Sequence, residues 1–149
     1  MLSLNLPDID AKFTTEGGKS MIFDVVRRRY VSLTPEEWVR QHFVHFLINC
    51  KGYPQSLLAN EVQIRLGKTS KRCDTVVYRK NLTPQMIVEY KAPEVEISQK
   101  VFDQIVRYNM VLRADYLVVS NGLQHYCCSI DYGTGNCTFL ADIPHYTEL

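Results

Sequence analysis

Two short apolar stretches near the middle of the chain carry charges where a sheet ordinarily buries hydrocarbon. The residues from Cys73 to Arg79 and from Gln85 to Ala92 read as strands, because Val76, Val77, Tyr78, Met86, Ile87 and Val88 supply the β-branched, aromatic and apolar side chains that pack on a pleated surface. Between them, Lys80, Asn81, Leu82, Thr83 and Pro84 have turn chemistry, since Asn tolerates left-handed angles and Pro cannot donate to a ladder. The spacing predicts an antiparallel hairpin. Folded about Asn81 and Leu82, it sets Asp74 opposite Glu89, and Lys91 joins their face because strand side chains alternate with period two.

Two carboxylates side by side repel unless a proton or a cation holds them together. A hard divalent ion is a natural occupant: Mg²⁺ takes one or two carboxylates, keeps several waters and accepts phosphate oxygens, and Mn²⁺ shares its preference for oxygen. On the residues alone a second reading stays open, a surface hairpin whose charges face water while Lys91 neutralises Glu89 and Asp74.

Asp74 on one strand followed by Glu89-x-Lys91 on the next resembles the core pattern of the PD-(D/E)XK nuclease superfamily. The wider runs Lys71-Arg72-Cys73-Asp74 and Ile87-Val88-Glu89-Tyr90-Lys91-Ala92-Pro93 are similar to stand-alone relatives of the N-terminal nuclease domain of type I restriction enzyme R subunits, and the resemblance extends from about Ile22 to the C-terminus. Cys73 stands where the name-giving motif has proline, at a backbone position that bears no chemistry. The resemblance implies an α/β restriction-endonuclease-like core: a mixed central sheet with an antiparallel catalytic hairpin, flanked by helices, plus a C-terminal β extension. It also implies Mg²⁺- or Mn²⁺-dependent hydrolysis of DNA phosphodiester bonds, with Asp74 and Glu89 as metal ligands, the Tyr90 carbonyl as a third, and Lys91 orienting the water or stabilising charge on the phosphate. The alternative is a non-catalytic nucleic-acid-binding or assembly module of the same fold.

Ser98 precedes an apolar-periodic run through Val101, Phe102, Ile105, Val106, Met110 and Leu112 that predicts a helix. On it, Gln104 and Tyr108 sit four apart and share a face. They match the Gln-x-x-x-Tyr motif of RecB-like superfamily members, and the resemblance implies that they support Lys91 or the nucleic acid beside the metal site; without it they are a helix edge. An earlier helix is marked by Thr34 as cap, Pro35 at the first helical position and Glu37 completing a capping box, with Val39, Phe43, Phe46, Leu47 and Cys50 as its apolar stripe. The family's auxiliary acidic residue on such a helix would be Glu37, although capping explains it equally well. Glu61, on an alternating strand from Glu61 to Leu66, is a second auxiliary candidate or a solvated edge residue. His42 and His45 receive no role.

The chain of 149 residues is expected to be one domain with residues 1–21 as an N-terminal arm. Its net charge of +1 argues against a uniformly basic nucleic-acid binder, but local charge counts for more: Arg27-Arg28-Arg29 precedes the first helix, and Lys68, Lys71 and Arg72 flank the approach to Asp74 as candidate DNA contacts. Gly67-Lys68-Thr69-Ser70 mimics the end of a P-loop, yet Val62 stands where the first glycine is required, so no NTP-driven motor is expected here. Cutting both DNA strands with one site per chain would call for a homodimer, two visits or a partner subunit. Five cysteines, an odd number without Cys-x-x-Cys pairs, suggest reduced thiols and a cytoplasmic protein, and a zinc set of His125, Cys127, Cys128 and Cys137 fails because adjacent strand residues point to opposite faces. No segment approaches the roughly 20 apolar residues of a membrane span, so a soluble chain is expected. Tyr116 to Ser120, Gln124 to Ile130 and Cys137 to Leu140 read as closing strands.

Overall fold

Local chemistry sets the limits of the first helix, α1 (Pro35–Lys51): the Thr34 hydroxyl accepts from the Glu37 amide, Pro35 opens the helix, and Gly52 closes it at φ +71°. Glycine suits that end because of the left-handed angle, and any Cβ there would lie 2.5 Å from the His145 ring, which would have to move aside. Val39, Phe43, Val44 and Leu47 form the buried face, whereas Cys50, expected in the stripe, is exposed and Phe46 is half-buried. The second helix, α2 (Gln99–Met110), is capped by Ser98, whose hydroxyl accepts from the Val101 amide.

The computed structural model describes residues 2–149. In chain order, β1 (Phe13–Glu16), β2 (Lys19–Asp24) and β3 (Arg29–Ser32) precede α1, β4 (Leu58–Leu66), β5 (Thr69–Tyr78) and β6 (Pro84–Tyr90) lie between the helices, and β7 (Tyr116–Ser120), β8 (His125–Asp131) and β9 (Asn136–Leu140) follow α2. The first three strands make a small antiparallel sheet. Strand β2 therefore runs through the boundary at Met21 assigned to an N-terminal arm, and ties the chain's beginning to β3.

The remaining strands form one six-stranded sheet in the order β4-β5-β6-β7-β8-β9, antiparallel throughout except where β7 lies parallel to β6 after the α2 crossover. Its two faces are covered by different helices. Val77, Met86, Val88, Val118 and Cys127 pack with Val39, Phe43 and Leu47 of α1, while Val76, Ile87, Leu117, Val119 and Cys128 pack with Phe102 of α2. This is the expected α/β restriction-endonuclease-like architecture, with β8 and β9 as the C-terminal extension. Adjacent Cys127 and Cys128 indeed enter opposite cores, which divides the zinc set considered above.

The hairpin β5–β6 has the expected register, pairing Thr75 with Val88, Val76 with Ile87 and Val77 with Met86. Its turn differs in detail. Leu82, not Asn81, takes the left-handed conformation at φ +67°, and Asn81 instead uses its side-chain oxygen to accept from the Thr83 amide and hydroxyl.

Candidate active site

The site lies where the sheet opens around Asp74. On its two sides β4 and β5 keep one register, Asn60 with Thr75 and Val62 with Cys73, but Glu61 and Asp74 between them form no ladder pair. Glu61 adopts a left-handed φ of +55°, and the side chains change face at this level. Asn60 bonds to Thr75 on the α1 side, whereas Val62, Ile64 and Cys73 pack in the core under α2. Freed from the ladder, the Asp74 carbonyl accepts from Arg40 Nη1 at 2.6 Å. On its other flank, Asp74 Oδ2 accepts from the Tyr90 amide at 2.9 Å, so a side chain stands in for the sheet's own hydrogen bond.

That arrangement turns the Asp74 carboxylate towards Glu89, and the two come within hydrogen-bonding reach of each other. Glu89 Oε1 is buried and has no hydrogen-bond partner among the described residues. Burial first, then the charge and hydrogen bond of Asp74, hold the Glu89 carboxyl well above the usual carboxylate range, while Lys91 and Asn109 pull it back. Asp74, Glu89 and Lys91, separated in sequence, are thus brought together.

Asn109 is a member of this group that the sequence reading missed. It is buried, its Nδ2 donates to the Ile105 carbonyl at 2.9 Å, it lies near enough to Glu89 to pull that carboxyl back towards its ordinary value, and its Oδ1 has no partner among the described residues. A signal was present: Asn109 falls four residues after Ile105 and seven after Phe102, a polar position inside the apolar stripe.

The auxiliary acids behave differently from expectation. The Thr34 half of the capping box forms, but the Glu37 carboxylate turns inward and accepts from Arg27 at 2.8 Å, from Arg40 at 3.0 and 3.1 Å, and from Gln41 at 2.9 Å. Glu61 is not a solvated edge residue; it accepts from Arg40 at 2.6 Å and Arg72 at 2.8 Å. Burial raises the Glu61 carboxyl, but these two guanidinium groups outweigh it and hold the carboxyl below its ordinary value. Arg40, which sequence reading passed over, is the centre of this network, and its guanidinium lies 5.8 Å from the Tyr90 ring centroid. Its spacing of three from Glu37 on one helix was the available clue. Beneath it runs a buried chain in which the Tyr90 hydroxyl donates to Thr75, Thr75 donates to Asn60, and Asn60 donates to Asp24.

Gln104 is exposed on α2, on the side away from Asn109's buried position. Tyr108 is 44 % exposed, and the Lys71 ammonium sits 3.8 Å from its ring centroid. Of the Gln-x-x-x-Tyr pair, Tyr108 thus meets Lys71, and Gln104 is exposed one turn earlier on the helix. Lys68 is exposed at the tip of the β4–β5 hairpin, and the Arg72 side chain is 74 % exposed while bonded to Glu61. Arg27 is held internally by Asp24 and Glu37, leaving Arg28 and Arg29 as the exposed part of the arginine run.

Among the described residues no three or more His, Cys, Asp or Glu side chains are arranged to hold a metal. A cation here would take two carboxylates, completed by a backbone oxygen and water, which is the mode Mg²⁺ favours. The orphaned Glu89 Oε1 fits such an ion, because a buried carboxylate oxygen without a donor calls for a proton or a cation.

No helix among the described residues is long and apolar enough to cross a membrane. No curated protein matches the sequence. Among solved structures, the fragment structure of a putative HsdR subunit of a type I restriction enzyme from Vibrio vulnificus YJ016 has a similar fold, with a TM-score of 0.54 and 21% identity over 78% of this chain; the match covers 24% of that chain. The model of the type I restriction enzyme R protein N terminus (HSDR_N) matches residues 35–144, from α1 to beyond β9, and the chain therefore belongs to that restriction-enzyme family.

Proposed function

We propose that this chain is a metal-dependent deoxyribonuclease that hydrolyses DNA phosphodiester bonds, with Mg²⁺ or Mn²⁺ held by Asp74, Glu89 and the Tyr90 carbonyl. The observation that carries the reading is the convergence of the Asp74 and Glu89 carboxyls around a buried Glu89 oxygen with no partner among the described residues. A bound divalent ion would polarise the phosphodiester and lower the pKa of a water. The protein's own groups do the rest. The Tyr90 amide fixes Asp74, Asn109 supports Glu89, and Lys91, close enough for its charge to act on Glu89, stabilises negative charge developing on the attacked phosphate.

Lys68, Lys71 and Arg72 would contact the DNA backbone, and Tyr108 with Gln104 would line its path, since Tyr108 is exposed against Lys71 and Gln104 is exposed one turn earlier on the same helix. A partner subunit or a second copy would let a chain with one such site cut both strands. The test is cleavage of linear, supercoiled and single-stranded DNA with Mg²⁺ or Mn²⁺, alongside DNA binding in Ca²⁺. Chelator should abolish cleavage, and Lys91→Ala should bind metal and DNA but not cut. If the wild type binds DNA, cuts none of these substrates and matches Lys91→Ala, the chain is a non-catalytic binding or assembly module.

A further inference from the structure

We propose that Arg40 takes the place of a second cation beside the Asp74–Glu89 pair, so that the site accepts one divalent ion per chain. The inference rests on the metal reading above and concerns how many ions it admits. Four carboxylates surround this region: Glu37 on α1, Glu61 on β4, Asp74 on β5 and Glu89 on β6. Four acids could serve a two-ion site, in which the metals sit about 3.5–4 Å apart and share ligands.

The hydrogen bonds divide them into two classes. Both Glu37 oxygens are taken, Oε1 by Arg27 and Arg40 and Oε2 by Arg40 and Gln41. Both Glu61 oxygens are taken as well, Oε1 by Arg40 and Oε2 by Arg72. A second ion would have to compete for Glu37 with the largely buried guanidinium groups of Arg27 and Arg40, and for Glu61 with buried Arg40 and exposed Arg72. Glu89 is the contrasting case, with an oxygen left without a donor among the described residues. Arg40 also fills the space physically. Its Nη1 is 2.6 Å from the Asp74 carbonyl and its guanidinium lies over the Tyr90 ring, so one fixed positive charge bears on β5 at Asp74 and on β6 at Tyr90, the residue that follows Glu89. The planar fork suits this task, because it serves three acceptors at once and stays protonated.

The test is Mn²⁺ titration of the full chain by calorimetry, with electron paramagnetic resonance of the loaded protein, in wild type and in Asp74→Asn, Glu61→Gln and Arg40→Met. One ion per chain with an uncoupled Mn²⁺ spectrum is expected. Asp74→Asn should weaken binding at least tenfold, and Glu61→Gln should change it less than twofold. Folded Arg40→Met should gain a second, weaker ion; if that variant does not fold, the wild-type stoichiometry and Glu61→Gln decide the matter. Two spin-coupled ions in the wild type, a tenfold loss in Glu61→Gln, or a single ion in folded Arg40→Met would each overturn the inference while leaving a metal site at Asp74 and Glu89. No bound ion at all would overturn the metal reading together with it.

Discussion

Asp24→Asn is the sharpest test of the polar network beneath the site. Asp24 is 0 % exposed. Its Oδ1 accepts from the Val26 amide at 2.8 Å, the Arg27 amide at 3.0 Å and Asn60 at 3.2 Å, while Oδ2 accepts from Asn60 at 3.0 Å and from the Arg27 guanidinium. Asparagine keeps the shape but turns one oxygen into a donor, which then faces donors on either side. Removing one partner of a buried ion pair costs about 3–5 kcal/mol. Arg27 keeps Glu37 as a partner at 2.8 Å, so the low end, about 3 kcal/mol, is expected. For a chain of this size that lowers Tm by about 6–12 °C.

The effect has a definite pH dependence. Burial raises the Asp24 carboxyl, but hydrogen bonds from Arg27 and Asn60 outweigh it and hold the group below its ordinary value of 3.8. A depressed acid stabilises the fold above its unfolded value and loses that contribution as pH falls through the folded one. The gap between wild type and Asp24→Asn should therefore be full at pH 7 and shrink below about pH 4. Urea unfolding across that range, with chelator present, measures it. A cost under about 1 kcal/mol at pH 7, the ordinary worth of a single net hydrogen bond, or a gap that widens on acidification, would refute the reasoning.

Thr75→Val should cost about 2 kcal/mol in urea unfolding, because it leaves the Tyr90 hydroxyl and the Asn60 side-chain oxygen buried without their shared partner. Leu82→Gly should stabilise by about 0.5 kcal/mol, since relief of the left-handed strain slightly exceeds the entropy lost by glycine, and Leu82 at 70 % exposure has little packing to lose; a lowered Tm would contradict this. Asn109→Ala should weaken Mn²⁺ binding about tenfold, the scale of a lost outer-shell support, and unchanged calorimetric affinity would detach Asn109 from the site.

The fold was legible because its signals are local. Thr34-Pro35 and Ser98 cap helices in the structure as their chemistry requires, and the β-branched run from Thr75 to Val77 pairs with Met86 to Val88 in the register the turn residues imply. The three-stranded N-terminal sheet escaped notice because its short strands are mostly exposed, and exposed strands lack the alternation that marks a half-buried one. Placing the left-handed residue at Asn81 failed for a related reason. Propensity names the residue that tolerates the angle at least cost, but the turn closes by bonding the Leu82 amide to the Arg79 carbonyl, and Asn81 is worth more as an acceptor for Thr83.

The site was only half legible, and the division has a physical cause. Alternation places Asp74, Glu89 and Lys91 together, since two strands and one turn determine it. Whether an acid is free to bind a cation depends instead on partners that arrive from other elements. Glu61 meets Arg40 from α1 across 21 residues of sequence, and Glu37 meets Arg27 from the β2–β3 turn. Sequence spacing named Asp74 and Glu89 as ligands and Glu37 and Glu61 as auxiliary acids, and packing adds that the last two are tied to guanidinium groups while Glu89 keeps an oxygen without a partner among the described residues.

The same packing shows that the matched family segment and the folding unit have different limits. The match begins at residue 35, yet Asp24 and Arg27 lie before it. Arg27 holds one oxygen of Glu37, and Asp24 holds Asn60, which in turn orders Thr75 and through it the Tyr90 ring. Tyr90 is also the residue whose amide fixes Asp74. A chain started at residue 35 would keep every residue of the nuclease pattern while leaving Asn60, Glu37 and Arg40 without the groups that balance them. The small N-terminal sheet is therefore part of what gives Asp74 its geometry, although it contributes none of the chemistry.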